Sequence, residues 1–260
     1  MAPDAATDGA GKSSRFATTR WSLILSSINA LGEQGKAREA LTQLCRIYWR
    51  PIFAFVCRKG HSVPDAQDIT QEFFVMLLNG DLLQRANADR GRFRSLLLSS
   101  LQNFLINLHL KARTQKRGGD RQFVSWDEWM AEAPSRLTLP AAALDSWPAE
   151  RIFDVRWAAT VVERALRHLQ EECELRGRRR LFDVLSSSLM AERDEISYQT
   201  LARELGCGTA EIKRALHRLR QRYRELLRAE VADTVEDHAD VDEELRYLVA
   251  ALAAGTEKDA

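Results

Sequence analysis

The chain has 260 residues, of which 45% are hydrophobic and 29% are charged, and its formal net charge is +1. Enough apolar residues are present to build a core, which excludes a chain that is disordered throughout. No apolar run reaches the roughly 18 residues that span a bilayer, so we expect a cytoplasmic protein without a membrane anchor. The four cysteines and five histidines form neither a C-x-x-C nor an H-x-x-x-H pair. We therefore predict no disulfide framework, no metal site and no cofactor.

The small net charge is the sum of two basic blocks and one acidic block. Residues 90–117 contain seven basic residues and no acidic residue, and residues 211–228 contain seven basic residues against two acidic ones. Residues 230–260 carry ten acidic residues against two basic ones. The basic segments and the acidic segment are therefore expected to contact partners of opposite charge to their own.

Helical periodicity begins soon after the N-terminus. Residues 1–17 lack it and are expected to form a disordered leader, and residues 21–31 follow as a short amphipathic helix. Between residues 37 and 57 apolar positions repeat at helical spacing, interrupted at Pro51, and Gly60 ends the pattern. The sequence thus predicts a pair of helices separated by the proline.

The segment 62–78 has a strong helix start. Ser62 is a hydroxyl N-cap, Pro64 fits the first turn and Asp65 is a carboxylate at the third position. Its carboxylates recur at i, i+3 and i+7, which places them on one face of the helix. An acidic face suits a basic protein partner, whereas periodicity alone favours ordinary solvated charges. The residues of this face are Asp65, Asp68, Gln71 and Glu72.

The helix predicted over residues 92–117 joins a polar, amide-rich face to a basic end. Amides and basic side chains can hold a phosphate backbone and read unstacked bases. An amphipathic core helix with a basic end favoured by its dipole would show the same pattern. The candidate DNA-contacting residues are Gln102, Asn103, Asn107, His109, Lys111 and Arg113.

Residues 118–150 contain three prolines and no sustained periodicity, which predicts a flexible linker. Beyond it, a short helix ends at Gly206, and we expect Thr209 to cap the next helix. This pattern is typical of a helix-turn-helix whose second helix enters the major groove of DNA, although a plain helical hairpin has the same outline. The outward residues predicted to reach phosphates and base edges are Thr209, Lys213, Arg214, His217, Arg218 and Gln221.

No segment shows the alternation of a strand, so the predicted fold class is all-α with two helical domains. The predicted organisation is a disordered leader (1–17), a first domain (18–117), the linker (118–150), a domain containing the helix-turn-helix (151–229) and an acidic C-terminal extension (230–260). The extension has apolar residues at helical spacing, so it could pack on the basic helix and hold it off DNA; a solvated terminal helix is the alternative.

Three motifs follow one another along the chain. They are DAQDITQEFF at 65–74, GRFRSLL at 91–97 with Asn103 ten residues after Phe93, and the segment 197–228. In this order they resemble a bacterial RNA polymerase sigma factor of the extracytoplasmic-function class. The resemblance covers residues 37–117, the family's region 2, and residues 155–228, its region 4.

The resemblance implies a protein without enzymatic activity that directs core RNA polymerase to specific promoters. It implies that Asp68, Gln71 and Glu72 dock on the clamp helices of the largest polymerase subunit. It also implies that the amides and basic residues of 102–113 engage the −10 element as it melts, and that helix 210–221 reads the −35 element. The implied partners are core polymerase, promoter DNA and an anti-sigma factor; restraint by the acidic extension is the separate expectation from its charge and spacing given above.

The chain departs from the family pattern at several points. Leu96 stands where the family commonly has tryptophan, Asn107 stands where it often has aspartate, and residues 169–195 replace a shorter approach to the helix-turn-helix. A different class of protein, a stand-alone helix-turn-helix regulator that binds operators without polymerase, therefore stays open. The acidic face discriminates the two, because a repressor does not need it. A hydrolase has little support, since no nucleophile elbow or phosphate-binding loop occurs.

Overall fold

The computed structural model describes residues 34–78, 93–112, 146–192, 194–235 and 237–256. The predicted leader, the helix at 21–31 and most of the predicted linker lie outside these residues. As predicted, the described chain is all-helical. None of the helices within these ranges has the length and apolar character of a membrane span. The helices are α1 (Gln34–Arg58), α2 (Val63–Leu78), α3 (Phe93–Ala112), α4 (Ala149–Leu175), α5 (Arg179–Leu185), α6 (Tyr198–Leu205), α7 (Thr209–Ala232) and α8 (Val241–Thr256), with 3-10 turns at Ser186–Ser188 and His238–Asp240.

Helix α1 is continuous, which corrects the prediction of two helices separated by Pro51. A proline inside a helix removes one backbone hydrogen bond and usually bends or ends the helix. Here Pro51 is itself buried, and Tyr48, Ile52 and Phe55 on either side of it are fully buried in the core. Packing of this apolar face therefore outweighs the lost hydrogen bond.

A first hydrophobic cluster is built from α1, α2, α3, the first half of α4, the end of α7 and α8. Its aromatic side chains contact one another edge to face, as between Tyr48 and Phe93, whose ring centroids are 5.2 Å apart. Its largest fully buried side chains are Trp157, Tyr48, Phe55, Phe73, Phe74, Phe93 and Phe153.

A second hydrophobic cluster is built from the last half of α4 with α5, α6 and α7. Gly206 ends α6 with φ 67°, a left-handed conformation that glycine adopts without strain. Ala202 is buried on α6, and Ile212 and Leu216 are buried on α7. The helices on both sides of the glycine turn therefore bury apolar side chains in the second cluster.

Helix α4 has 27 residues and belongs to both clusters. Phe153 and Trp157 are buried in the first cluster, whereas Leu169 and Cys173 are buried in the second. At about 1.5 Å per residue the helix is about 40 Å long. The two clusters are therefore joined by an uninterrupted helix, which follows the predicted linker.

The acidic segment forms α8 and packs on the first cluster. Leu248 is buried there, and Leu245, Tyr247 and Leu252 pack against it. The helical spacing of these residues is thus as predicted, but their apolar contacts lie on the first cluster instead of the basic face of α7. The ion pair between Arg228 and Asp242 lies near the end of α7, about 22 Å along the helix from Lys213.

Candidate protein and nucleic-acid interfaces

The acidic face of α2 (Asp65, Asp68 and Glu72) is held on a well-capped helix. The Ser62 hydroxyl donates to Asp65 Oδ2 at 2.6 Å, and the Asp65 backbone N–H donates to Ser62 Oγ at 3.3 Å. The Ser62 hydroxyl therefore caps the helix, as predicted from the sequence. All three carboxylate residues are exposed and Gln71 is half-buried, while Ala66, Ile69, Phe73, Phe74 and Leu77 are buried on the opposite side.

A surface groove of about 340 Å³ runs along this acidic face. His61 and His109 are among its lining residues, and their ring centroids are 6.1 Å apart. Asp65, Asp68 and Glu72 line it as well. His109, predicted to contact DNA together with the amides of α3, therefore lies beside the acidic carboxylates.

The candidate residues of α3 do not share one face. Successive residues are separated by about 100° around a helix, so Gln102 and His109 point to a different side from Asn103 and Asn107. Gln102 Nε2 donates to Glu150 Oε1 at 3.1 Å, at the start of α4. Gln102 and His109 therefore lie on a different side of α3 from Asn103 and Asn107, a difference that side-chain type alone does not show.

Glu150, near the start of α4, contacts α3 and the residue that follows α1. Lys59 Nζ lies 3.3 Å from its Oε1, the atom that also accepts from Gln102. The pKa of Glu150 lies below its ordinary value, first because of a backbone hydrogen bond at the start of α4 and further because of Lys59 and Gln102. Gln102 thus has a structural contact that the sequence did not predict.

Asn103 and Asn107 are exposed on α3. Two apolar side chains, Ile106 and Leu110, are also exposed by 59% and 57%. This face therefore combines amides with apolar surface, a combination suited to bases as well as to protein. Of the other predicted residues, Lys111 belongs to α3 without a described side chain, and Arg113 lies outside the described residues.

The basic face of α7 (Lys213, Arg214, His217 and Arg218) is exposed, as predicted, and so is Gln221. Lys213 Nζ lies 5.1 Å from the centre of the Tyr198 ring on α6, a cation–π contact that orients the lysine.

The prediction that Thr209 caps α7 is wrong. The cap is Gly208, whose backbone is extended at φ −76° and ψ 150°, and Thr209 is already the first helical residue. No side-chain cap hydrogen bond forms at this helix start. The helix therefore begins one residue earlier than the capping preference of threonine indicated.

Three arginines of the basic block 211–228 are tied into the structure. Arg220 donates to the backbone carbonyls of Ser188, Leu189 and Ala191 at 2.8, 3.1 and 2.6 Å and so anchors the segment before α6. The other two are Arg222, which donates to both Glu172 oxygens at 2.9 and 2.6 Å, and Arg228, which pairs with Asp242. A charge count could not separate these arginines from Lys213, Arg214 and Arg218. For Arg220 and Arg222 the available signal is their position beside the buried face of α7.

Arg94 of the motif at 91–97 is buried. Its Nε lies 3.1 Å from Glu244 Oε1 on α8, and its Nη1 lies 2.8 Å from Asp154 Oδ1 on α4. The guanidinium also lies 4.0 Å from the Tyr247 ring centre and 5.3 Å from that of Trp157. Burial alone would lower the pKa of Arg94, but Glu244 and Asp154 raise it above its ordinary value. This motif arginine joins three helices instead of contacting solvent.

Among the described side chains, no three His, Cys, Asp or Glu residues are grouped so as to hold a metal ion. Comparisons with protein-family models, curated proteins and solved structures gave no match for this chain. The candidate roles therefore depend on the residues and the contacts described above.

Proposed function

We propose that this protein is an RNA polymerase sigma factor that binds core polymerase and directs it to specific promoters. In this proposal the acidic face of α2 contacts the core enzyme, and Asn103 and Asn107 of α3 contact the −10 element. Helices α6 and α7 form a helix-turn-helix that reads the −35 element. The protein performs no chemistry of its own. The proposal is supported by the order of the sequence motifs and by the exposure of these side chains.

The acidic face of α2 is the observation that carries the proposal. Asp68 and Glu72 are exposed about one turn apart, and the opposite side of the helix is buried in the first cluster. The Ser62–Asp65 cap fixes the start of the same helix. A rigid acidic surface is complementary to a basic protein partner, whereas DNA would be repelled by it. A regulator that acts on DNA alone has no use for this surface.

Charge reversal on the acidic face tests polymerase binding. Glu72→Lys should abolish co-purification of the full-length protein with core polymerase, because it places a cation opposite a basic surface. Glu171→Lys is the matched control, since Glu171 is an exposed helical glutamate on α4, away from the acidic face. Unchanged recovery of core polymerase with Glu72→Lys, at equal folded content, would count against the proposal.

Promoter binding tests the function as a whole. The protein alone should bind DNA weakly, and with core polymerase it should bind and transcribe specific fragments from a genomic pool. Strong sequence-specific binding without core polymerase would instead favour a stand-alone helix-turn-helix regulator. Electrophoretic mobility shift and in vitro transcription, with the salt concentration held constant, distinguish the two results.

The basic face of α7 predicts a position-specific effect. If Arg214 forms a bidentate base contact, Arg214→Ala should cost about 1–3 kcal/mol at one −35 position and little at the others. A uniform loss across −35 sequences would identify a phosphate contact. Lys213 is oriented by Tyr198, so Tyr198→Leu should weaken the contribution of Lys213 without removing its charge.

A further inference from the structure

A second cavity lies on the side of α7 that faces α4. It has a volume of about 370 Å³ and is bounded by the last half of α4, the start of α5 and α7. Its apolar lining includes Leu169, Leu181, Ile212 and Leu219. This volume and lining are within the range of small-molecule sites.

Four arginines line the same cavity together with two glutamates, Glu172 and Glu211. Glu172 is already engaged, because Arg222 donates two hydrogen bonds to it. These hydrogen bonds hold the pKa of Glu172 below its ordinary value, so its charge is fully present at neutral pH. Arg178 and Arg218 remain able to pair with a ligand, because no carboxylate within the described part of the chain forms an ion pair with either of them. The full arginine set is Arg176, Arg178, Arg218 and Arg222.

The cavity is separate from the centre of the proposed DNA-reading face. At about 100° per residue, Arg222 lies on the side of α7 opposite Lys213, and Arg218 lies between that side and the exposed face. Lys213 and His217 do not line the cavity. The arginines of α7 that line the cavity therefore face α4 and α5 at least in part, and not only the proposed DNA-reading side.

We propose that this cavity binds a small amphipathic carboxylic acid. The apolar part of the ligand packs against Leu169, Leu181 and Leu219, and its carboxylate pairs with Arg178 and Arg218. Guanidinium groups match carboxylates in charge and planar geometry, and an apolar cavity favours the burial of a hydrocarbon chain. A cationic or strongly polar ligand fits neither feature. The site goes beyond the proposed function, since it does not require polymerase or DNA.

Cysteine protection in the full-length protein gives a direct test with octanoate as the probe. Cys207 lines the cavity and is half-buried, and Cys57 is half-buried in the first cluster, outside the cavity. Octanoate should slow alkylation of Cys207 by iodoacetamide and leave the rate at Cys57 unchanged, as measured by peptide mass spectrometry. Octanol, which has the same chain without the charge, should protect Cys207 at least about fivefold less.

Two variants test the charge recognition. Arg178→Gln and Arg218→Gln should each weaken octanoate binding about fivefold to tenfold, and neither should change octanol binding. Arg224→Gln, an exposed arginine of α7 outside the cavity lining, is the control and should bind octanoate like the original protein. Ligand-observed NMR measures these affinities. Equal protection of Cys207 and Cys57, equal binding of octanoate and octanol, or full octanoate affinity in both arginine variants would each overturn the proposal.

Discussion

Replacing Arg94 with methionine tests how the C-terminal helix is held on the first cluster. The substitution keeps most of the side-chain volume and removes the guanidinium, whose side chain is only 8% exposed. Its partner Glu244 is 1% exposed and would then lose its ion pair with Arg94 in the core. Asp154, which accepts from Arg94 and from the Tyr247 hydroxyl, would keep only the tyrosine.

The expected loss is a large part of the total stability. Removing one partner of a buried ion pair costs about 3–5 kcal/mol, because the remaining charge stays desolvated. The contact of Arg94 with the Tyr247 ring adds about 0.5–2 kcal/mol when it is desolvated. A domain of ordinary stability unfolds with about 5–15 kcal/mol, so Arg94→Met should lower the urea midpoint markedly.

A double-mutant cycle shows whether the buried charge is the cause. Arg94→Met with Glu244→Gln removes both charges and should be more stable than Arg94→Met alone, as measured by urea unfolding. Arg228→Met, which breaks the exposed pair with Asp242, should leave the free energy of unfolding nearly unchanged. If Glu244→Gln instead adds its full loss to that of Arg94→Met, the reasoning is refuted. Arg94→Lys provides a milder variant if the methionine protein does not fold.

Three further changes have defined outcomes in chemical unfolding. Gly206→Ala should cost about 1–2 kcal/mol because φ is 67° there, while Gly208→Ala, at φ −76° with open space around it, should not strain the backbone. Hydrogen bonds from Arg222 lower the pKa of Glu172 below its ordinary 4.5. The stability that the ionised Glu172 contributes is therefore present above pH 4.5 and is lost as the pH falls through the lower pKa of the folded state. Glu172→Gln should make the free energy of unfolding less dependent on pH in this acidic range. Burial and the hydrogen bond to Asp154 raise the pKa of Tyr247 from 10.0 to about 12. The stability contributed by the protonated Tyr247 hydroxyl is therefore complete below pH 10.0 and is lost as the pH rises through about 12. Tyr247→Phe should lack this pH dependence of the free energy of unfolding.

Local signals in the sequence predicted the helices well. The Ser62–Asp65 cap, the stop at Gly60 and the turn at Gly206 all occur where the sequence indicated. Each depends on the chemistry of one or two neighbouring residues, so no tertiary information is needed. The break predicted at Pro51 does not occur, because tertiary packing of the buried residues on both sides keeps the helix continuous. A local signal does not contain this information.

Pairings between distant residues could not be predicted in the same way. Arg94 and Glu244 are 150 positions apart, and nothing in the sequence near either residue names the other. Arg220, which anchors three carbonyls, belongs to the same basic block as the exposed Arg214 and differs from it only in its angle around the helix. A count of charges along the sequence therefore does not separate the exposed cations of α7 from an arginine such as Arg220, which holds a neighbouring segment in place.

The position of α8 changes how the acidic extension should be tested. Deleting residues 230–260 would remove Leu248 from the first cluster and the partner of Arg94, so a change in DNA affinity could reflect partial unfolding. A test of autoinhibition of the basic face of α7 therefore needs a substitution that keeps α8 folded. Asp242→Asn meets this requirement, because Asp242 is exposed and forms an ion pair with Arg228 that links α8 to α7. A gain in DNA affinity at low salt would support a restraining role, and an unchanged affinity would leave α8 a structural part of the first cluster.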